Sequence, residues 1–429
     1  MSSEAIKEVL ITNAYSCFEK SRLTKERAKT LLGNGLLALD DSEHKVHKAK
    51  LLPAFAPRRI RPLYDVFWSK ACELAGVLED AIPNGPVTLR AYTSRAALDI
   101  IGVAAWGKDF SALKHPTGDV VSKYSYIHQG SPAAKRQAQM IYVAATVVSM
   151  KTLTRWFPKA QFFVDMRAGI VAIRGACAGA IREKRMEKEK EMMGNDILSV
   201  AVGSGEFDDE ALTGHMLNVL AAGHETSSLN ATWACYLLSR HPDIQTRLRK
   251  EIREKLPSPK NKGSDVDMSH ALEQLPLLRA VIKESLRVIP PVPLLRREAA
   301  KDTTILGHHV PKGTDITTMA WVVHKSVSEW GDDALEFKPD RWLQPGQEAL
   351  GGARSSHSNL SFSAGPRSCI GEGFAKAEAL AMMAVLVGRF EFELVEDFDR
   401  EVEDLPDLLW GITVKSMAMR FRMRVVEGW

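Results

Sequence analysis

The stretch that most constrains this chain is Phe362-Ser363-Ala364-Gly365-Pro366-Arg367-Ser368-Cys369-Ile370-Gly371, polar and glycine-rich, then turning at once into an apolar-periodic helix from about Ile370. A cysteine at such a junction meets unpaired helix N–H groups and the positive end of the helix dipole, a setting that favours an anion. That setting lowers a thiol pKa and suits a thiolate metal ligand. Gly365 and Gly371 permit close backbone approach, to a turn or to a flat cofactor. Arg367 offers a fixed cation for an acidic group nearby. The plainer reading of an isolated cysteine is a small buried hydrophobe.

Composition sets the frame. Hydrophobic residues make up 45% and charged residues 26% of 429, which is ordinary for a globular protein with a large core. Length alone allows two or three domains, but no internal repeat or low-complexity linker divides the chain, so one domain over residues 1–429 is expected. A net charge of +4 is too small to argue for nucleic acid, although a local basic face can still meet an acidic partner. Cys17, Cys72, Cys177, Cys235 and Cys369 are scattered, odd in number and free of Cys-x-x-Cys pairs. They point to a reducing compartment, with neither a disulfide framework nor a zinc site. No signal peptide is visible, and no stretch has the apolar length to span a bilayer. Met140 to Met150 reads as a core or interfacial helix.

Along the chain, Ser3 to about Lys20 reads as a short helix and Leu23 to Leu39 as a loop-rich stretch. His44 and Lys48, four apart, share a helix face, on local grounds a solvated basic one. Helical patterns follow over Leu63–Ala81, Ser94–Ala104 and Gln161–Met192, and Asn195-Asp196 caps another from Ile197 to Val202. A helix of over thirty residues starts at Phe207-Asp208-Asp209-Glu210 and carries Ala222-Gly223-His224-Glu225-Thr226 in its middle. A mid-helix glycine costs about 1 kcal/mol against alanine, so a bulky neighbour needing room is expected beside Gly223. Glu225-Thr226 is either a surface acid beside a threonine bonded back to its own helix or an acid–alcohol pair for proton delivery. Further helices span Ile244–Lys255 and Pro276–Arg287. The latter sets Glu284 and Arg287 three apart, within reach of each other. Pro290-Pro291-Val292-Pro293 forces an extended path. Thr303–Val310, Pro311-Lys312-Gly313 and Thr314–Thr317 read as a hairpin. After the helix from Ile370 to Gly388, Phe390–Leu394 and Ala418–Val426 are strand-like. The fold class expected is mainly α with small β sheets.

The pattern Phe-x-x-Gly-x-Arg-x-Cys-x-Gly resembles the haem-binding signature of the cytochrome P450 family, the haem-thiolate monooxygenases, and every fixed position is filled. The resemblance runs from near residue 4 to the C-terminus. It implies the triangular helical fold of that family, with haem b between the long central helix and the Cys-led helix. Cys369 would be the iron ligand, with Phe362 shielding its loop and Gly371 close to the cofactor. His44, Lys48, Arg297 and Arg367 would meet the haem propionates, Lys48 in place of the usual arginine and Arg296 as second choice to Arg297. Gly223 would make space for dioxygen, Thr226 would hydrogen-bond it and Glu225 would relay protons, with His224 structural. Glu284 and Arg287 match the Glu-x-x-Arg motif, and Arg341 completes a buried fold-locking triad.

The resemblance also implies insertion of one oxygen atom of O2 into a lipophilic small molecule, in secondary metabolism. Electrons would come from NADPH through a reductase on the proximal face, since no flavin or nucleotide fingerprint is present. Segments Leu23–Leu39, Asn218–Ala222, Val292–Leu295 and Trp410–Thr413 would shape the pocket, mostly apolar, with Asn218 the exception. The style of Ala-Gly-His-Glu-Thr and of the Trp330 region resembles filamentous-fungal members. The chain reads as N-terminally short, with the family's membrane anchor, first helix and first two strands missing and a sheet edge thereby unpaired. The endoplasmic reticulum surface is the location the family implies, and the cytoplasm the one expected of the chain as given, as a monomer. Two rivals stand beside this reading: a haem-thiolate isomerase or dehydratase needing no external electrons, and an inactive truncated haem-binding protein.

Overall fold

The computed structural model describes residues 2–118, 121–125, 134–144, 148–192, 194–261, 266–395, 413 and 419–429. Helices dominate, and three small antiparallel sheets lie around them. The organising element is a central helix, Asp209–Arg240, started by the Asp208 side chain accepting from the Ala211 N–H. It is buried along most of its length, from Leu212 to Leu220 and again from Ser227 to Leu238. Helix Leu89–Trp106 packs along it, and helix Glu372–Arg389 lies against both it and helix Tyr64–Ala81. One continuous hydrophobic core joins these helices to those at Pro242–Lys255 and Pro276–Val288.

Gly223 shows how closely the central helix is approached. A Cβ there would stand 2.8 Å from Ile101 Cδ1 and 3.2 Å from Ile101 Cγ1. The missing side chain makes room for a neighbouring helix, which offsets the propensity cost of a mid-helix glycine.

Strand β1 (Phe18–Lys20) pairs with β3 (Leu294–Ala299), which pairs on its other side with β6 (Asp315–Met319). Between β3 and β6, β4 (Thr303–Ile305) and β5 (His308–Val310) form a separate hairpin. Strands β2 (Val87–Thr88), β8 (Arg420–Val425) and β7 (Phe390–Leu394) make the third sheet, in that order.

Several expectations are corrected. The N-terminal helix does not reach Lys20; it covers Ser3–Lys7, continues as a π-helical turn to Thr12 and yields to β1, because Asn13 O collects the N–H groups of Cys17 and Phe18 in a turn. Arg22–Leu32, read as loop, is a helix that ends where Gly33 takes φ +79°. The hairpin turns at Leu306-Gly307, where both residues have positive φ, and not at Pro311–Gly313; the following strand pairs with β3 instead. The helix from Gln161 stops at Glu189, and Glu191 has φ +58°. Met140 to Met150 is not one helix: Met140 lies exposed on helix Lys135–Ala144, whereas Met150 is buried at the start of helix Met150–Trp156. Residues 410–412 lie outside the described residues.

Candidate active site

The cysteine loop is closed on itself. The N–H of Cys369 donates to Phe362 O at 2.9 Å and that of Ser368 to Gly365 O at 3.0 Å. Ser363 and Gly365 both take left-handed φ, +63° and +71°. At Gly365 a Cβ would stand 2.2 Å from Leu10 O, so only glycine lets the loop lie on the Glu8–Thr12 turn. The helix begins at Glu372, slightly later than the periodicity suggests. Phe362 packs against the main core, with the Lys376 ammonium 5.4 Å from its ring centre.

Cys369 has an accessible side chain within a half-buried loop. Its sulfur accepts a hydrogen bond from the Gly371 N–H. As a free thiol its pKa is nevertheless raised, against the expectation for a helix start. Desolvation outweighs the Gly371 N–H and the Lys48 charge, and Glu372 adds to it. A metal ion bound to this thiol would supply the charge that keeps the sulfur anionic.

Around the loop gathers a group of cations. Lys48 donates from Nζ to Pro366 O at 3.0 Å and Ser368 O at 2.7 Å, bracing the loop from helix Asp41–Leu51. His44, buried on that helix, shares a 2.8 Å hydrogen bond between Nδ1 and the Tyr15 hydroxyl. Arg367 is held by Asp41, with Nε 3.1 Å from Oδ1 and a second bond from Nη2. Arg297 is 5% exposed; among the described residues its Nη1 reaches the neighbouring Arg296 O and its Nε has no partner. Lys20 donates to Leu37 O at 3.1 Å. Burial first, and then the neighbouring cations, push Lys20 down to about 7, His44 down to about 3 and Arg297 down to about 10. Lys48 is lowered mainly by burial. Among the described residues Asp41 is the carboxylate set into this group, and Arg367 occupies it. A buried guanidinium with an unpartnered N–H is costly. Two carboxylates on a flat cofactor beside Cys369 would fit this donor set, so the residues present fit a haem.

On the central helix, Thr226 donates to Ala222 O of its own helix at 2.7 Å. Glu225 points elsewhere: Oε1 accepts from Thr413 Oγ1 at 3.1 Å and lies 3.5 Å from Arg90 Nη2. The His224 ring is engaged by Ser94 Oγ at 2.7 Å and by the Tyr124 hydroxyl at 3.3 Å. Asn218, read as a polar exception lining the pocket, is buried. Its amide accepts from Leu37 N and donates to Gly214 O, both at 2.8 Å, tying the Gly33–Leu39 loop to the central helix.

Glu284, Arg287 and Arg341 form one buried network. Arg287 Nη2 and Nε meet the two Glu284 oxygens at 2.8 and 2.9 Å, and Arg341 Nε meets Oε1 at 3.0 Å. Arg287 also donates to the carbonyls of His324, Ala334 and Glu336. Trp342 Nε1 completes the carboxylate at 2.8 Å. Motif reading missed Tyr15, Lys20, Asp41 and Trp342, since nothing local to the sequence marks them as partners of residues 29 to 326 positions away. It also missed Glu378, fully buried on the Cys-led helix and accepting from Ser227 Oγ at 2.6 Å.

A thiol in a closed loop just before helix Glu372–Arg389, with the cations Lys48 and Arg367 and the buried Arg297 gathered around that loop, fits a haem-thiolate site. The sequence model for Cytochrome P450 matches residues 1–417. Curated relatives agree: Cytochrome P450 monooxygenase sphH of Aspergillus fumigatus is 36% identical over all of this chain and 79% of its own length. FSL4 of Gibberella zeae is 35% identical at the same coverage, and FUM15 of Gibberella moniliformis is 37% identical over 92% of this chain and 74% of its own. The chain belongs to the cytochrome P450 family, fungal in type. It is an oxidoreductase, a haem-thiolate monooxygenase that uses haem b and dioxygen. A small-molecule substrate and a reductase partner follow from the family. Among the described residues no helix is long and apolar enough to cross a membrane.

Proposed function

We propose that Cys369 would hold the haem iron through its sulfur, and that the chain, as a single domain and a monomer, oxygenates a lipophilic small molecule of secondary metabolism. The observation that carries this is the accessible Cys369 sulfur, bonded by the Gly371 N–H, in a loop braced by Lys48, with the buried Arg297 Nε unpartnered among the described residues. When bound, haem supplies the iron chemistry, and thiolate ligation favours heterolytic O–O cleavage.

The chain's own residues do the rest. The Gly371 N–H and the Lys48 charge stabilise negative charge on sulfur. Lys48 and His44, the latter through Tyr15, hold the loop carbonyls in place from one helix. Arg297 turns its free Nε to a propionate, with Lys48 adding its charge and His44, which burial keeps neutral, acting through its hydrogen bond to Tyr15. Arg367 acts in part through Asp41, fixing the loop to helix Asp41–Leu51. Phe362 keeps water from the ligand loop. Thr226 holds a hydroxyl that turns from Ala222 O toward dioxygen, and Glu225, steadied by Thr413 and Arg90, passes protons to it. Glu284, Arg287 and Arg341 lock the fold beneath the site and do no chemistry. Electrons arrive from NADPH through a reductase docked on the proximal face, at the endoplasmic reticulum surface.

The test is oxygen uptake with a fungal reductase and a bound lipophilic ligand under labelled dioxygen. NADPH-dependent uptake with one labelled atom in the product is expected. Conversion of an oxygenated substrate with no NADPH consumed would replace this reading with the isomerase.

A further inference from the structure

The contact between Tyr15 and His44 offers a chemistry that the proton path and the propionate cations leave unused. The Tyr15 hydroxyl and His44 Nδ1 are 2.8 Å apart, and the same hydroxyl is 3.5 Å from Pro366 O of the cysteine loop. Pro366 stands three residues before Cys369, a span of at most about 11 Å. The Arg367 guanidinium lies 5.4 Å from the centre of the Tyr15 ring. The phenol is therefore seated on the loop that would hold the iron, well within electron-tunnelling range. Burial, opposed by Arg367, raises the Tyr15 pKa, so the hydroxyl keeps its proton. His44 is buried and pushed down to about 3, so its ring is neutral. As the nearer acceptor, Nδ1 takes the phenol hydrogen bond and the ring's own proton sits on Nε2.

We propose that Tyr15 and His44 form a redox-active pair that reduces the oxidised cofactor when no substrate takes up its oxidising power. This rests on the haem reading above. In the step, Tyr15 gives one electron to the oxidised haem and its hydroxyl proton to His44 Nδ1, leaving a neutral tyrosyl radical beside an imidazolium. A small one-electron reductant such as ascorbate then returns the electron, and His44 returns the proton to the phenol oxygen. Tyr15 is only half-buried, so such a reductant can reach it. An oxidised phenol is a far stronger acid than an imidazolium, even one disfavoured by burial, so the proton moves toward His44. A second tyrosine–histidine contact fits the task less well. Tyr124 stands 3.3 Å from His224 Nδ1, is almost wholly buried, and has no contact with the cysteine loop among the hydrogen bonds of the described residues.

The test mixes substrate-free ferric holoprotein with a peracid, freezes it within milliseconds and records the electron paramagnetic resonance spectrum. Wild type, Tyr15→Phe, His44→Phe and Tyr124→Phe are compared, and wild type is also prepared with ring-deuterated tyrosine. Wild type should give a radical signal whose hyperfine structure collapses with the deuterated ring. Tyr15→Phe should lose that signal and bleach its haem several-fold faster, with its reduced carbon-monoxide spectrum unchanged. His44→Phe, which keeps the phenol without its proton acceptor, should lose the signal too, whereas Tyr124→Phe should keep it. If His44→Phe does not hold haem, His44→Gln, which accepts a hydrogen bond but not a proton, is read by the same criteria. A tyrosyl signal of full strength in Tyr15→Phe or in the His44 variant overturns the pair. So does a wild-type protein that gives no radical, or one that the deuterated ring leaves unaltered. A wild type that binds haem without a thiolate spectrum would instead overturn the assignment of Cys369.

Discussion

Thr226 carries the proton-delivery claim at the scale of one hydroxyl. Its Oγ1 is bonded to Ala222 O, a contact worth little to a helix, and threonine in this arrangement slightly destabilises it. Thr226→Ala should therefore change stability by no more than about 0.5 kcal/mol. Product formed per NADPH should fall by about tenfold or more, with peroxide in its place. Coupling equal to wild type would remove Thr226 from the proton path. Arg367 makes the complementary point. Its place two residues before Cys369 marks it as a cation for a nearby acid, and the acid it holds in the structure is Asp41, 326 residues away in sequence. Motif spacing identifies such a residue, but only the folded chain shows its partner.

Gly223 belongs to the scale of elements, because its role is set by another helix. A side chain there drives into Ile101, so Gly223→Val should destabilise the protein by about 1–3 kcal/mol. In an Ile101→Ala background the same change should cost less, as contacting sites couple. Equal costs in the two backgrounds would mean that packing against Ile101 is not what requires the glycine. The sequence makes the central helix, its Asp208 cap and the Glu284–Arg287 pair legible because each is written within a few turns of one helix. Strand β1 was not legible: three residues with no alternation become a strand only by pairing with β3, almost three hundred residues on. The hairpin was displaced for a similar reason. Pro311-Lys312-Gly313 is the stronger turn signal, yet Leu306-Gly307 makes the turn, and β6 is drawn to β3.

Across the whole molecule, Glu378 is a titratable load shared between the two helices that frame the site. Burial raises it from 4.5 to about 8, with the Ser227 hydroxyl only partly opposing. The folded protein thus keeps a proton there that the unfolded chain releases above its own pKa. The group's contribution is fully present below about pH 4.5 and is lost as pH rises toward about 8. Glu378→Gln should flatten the fall in Tm over that window; an unchanged slope would mean that Glu378 does not titrate with folding. The haem-thiolate architecture was readable because the family's motifs are local. The side-chain cluster at the site was not, since Tyr15, Lys20, His44, Arg297 and Arg367 come from four separate segments that only the fold assembles.

The most direct measurement is the spectrum of the reduced protein under carbon monoxide, taken on wild type and on Cys369→Ala. The strongly red-shifted Soret band of a thiolate-ligated haem is expected in the first and its loss in the second. A histidine-type band in wild type, or a thiolate band that survives in Cys369→Ala, would contradict the assignment of Cys369 as the ligand.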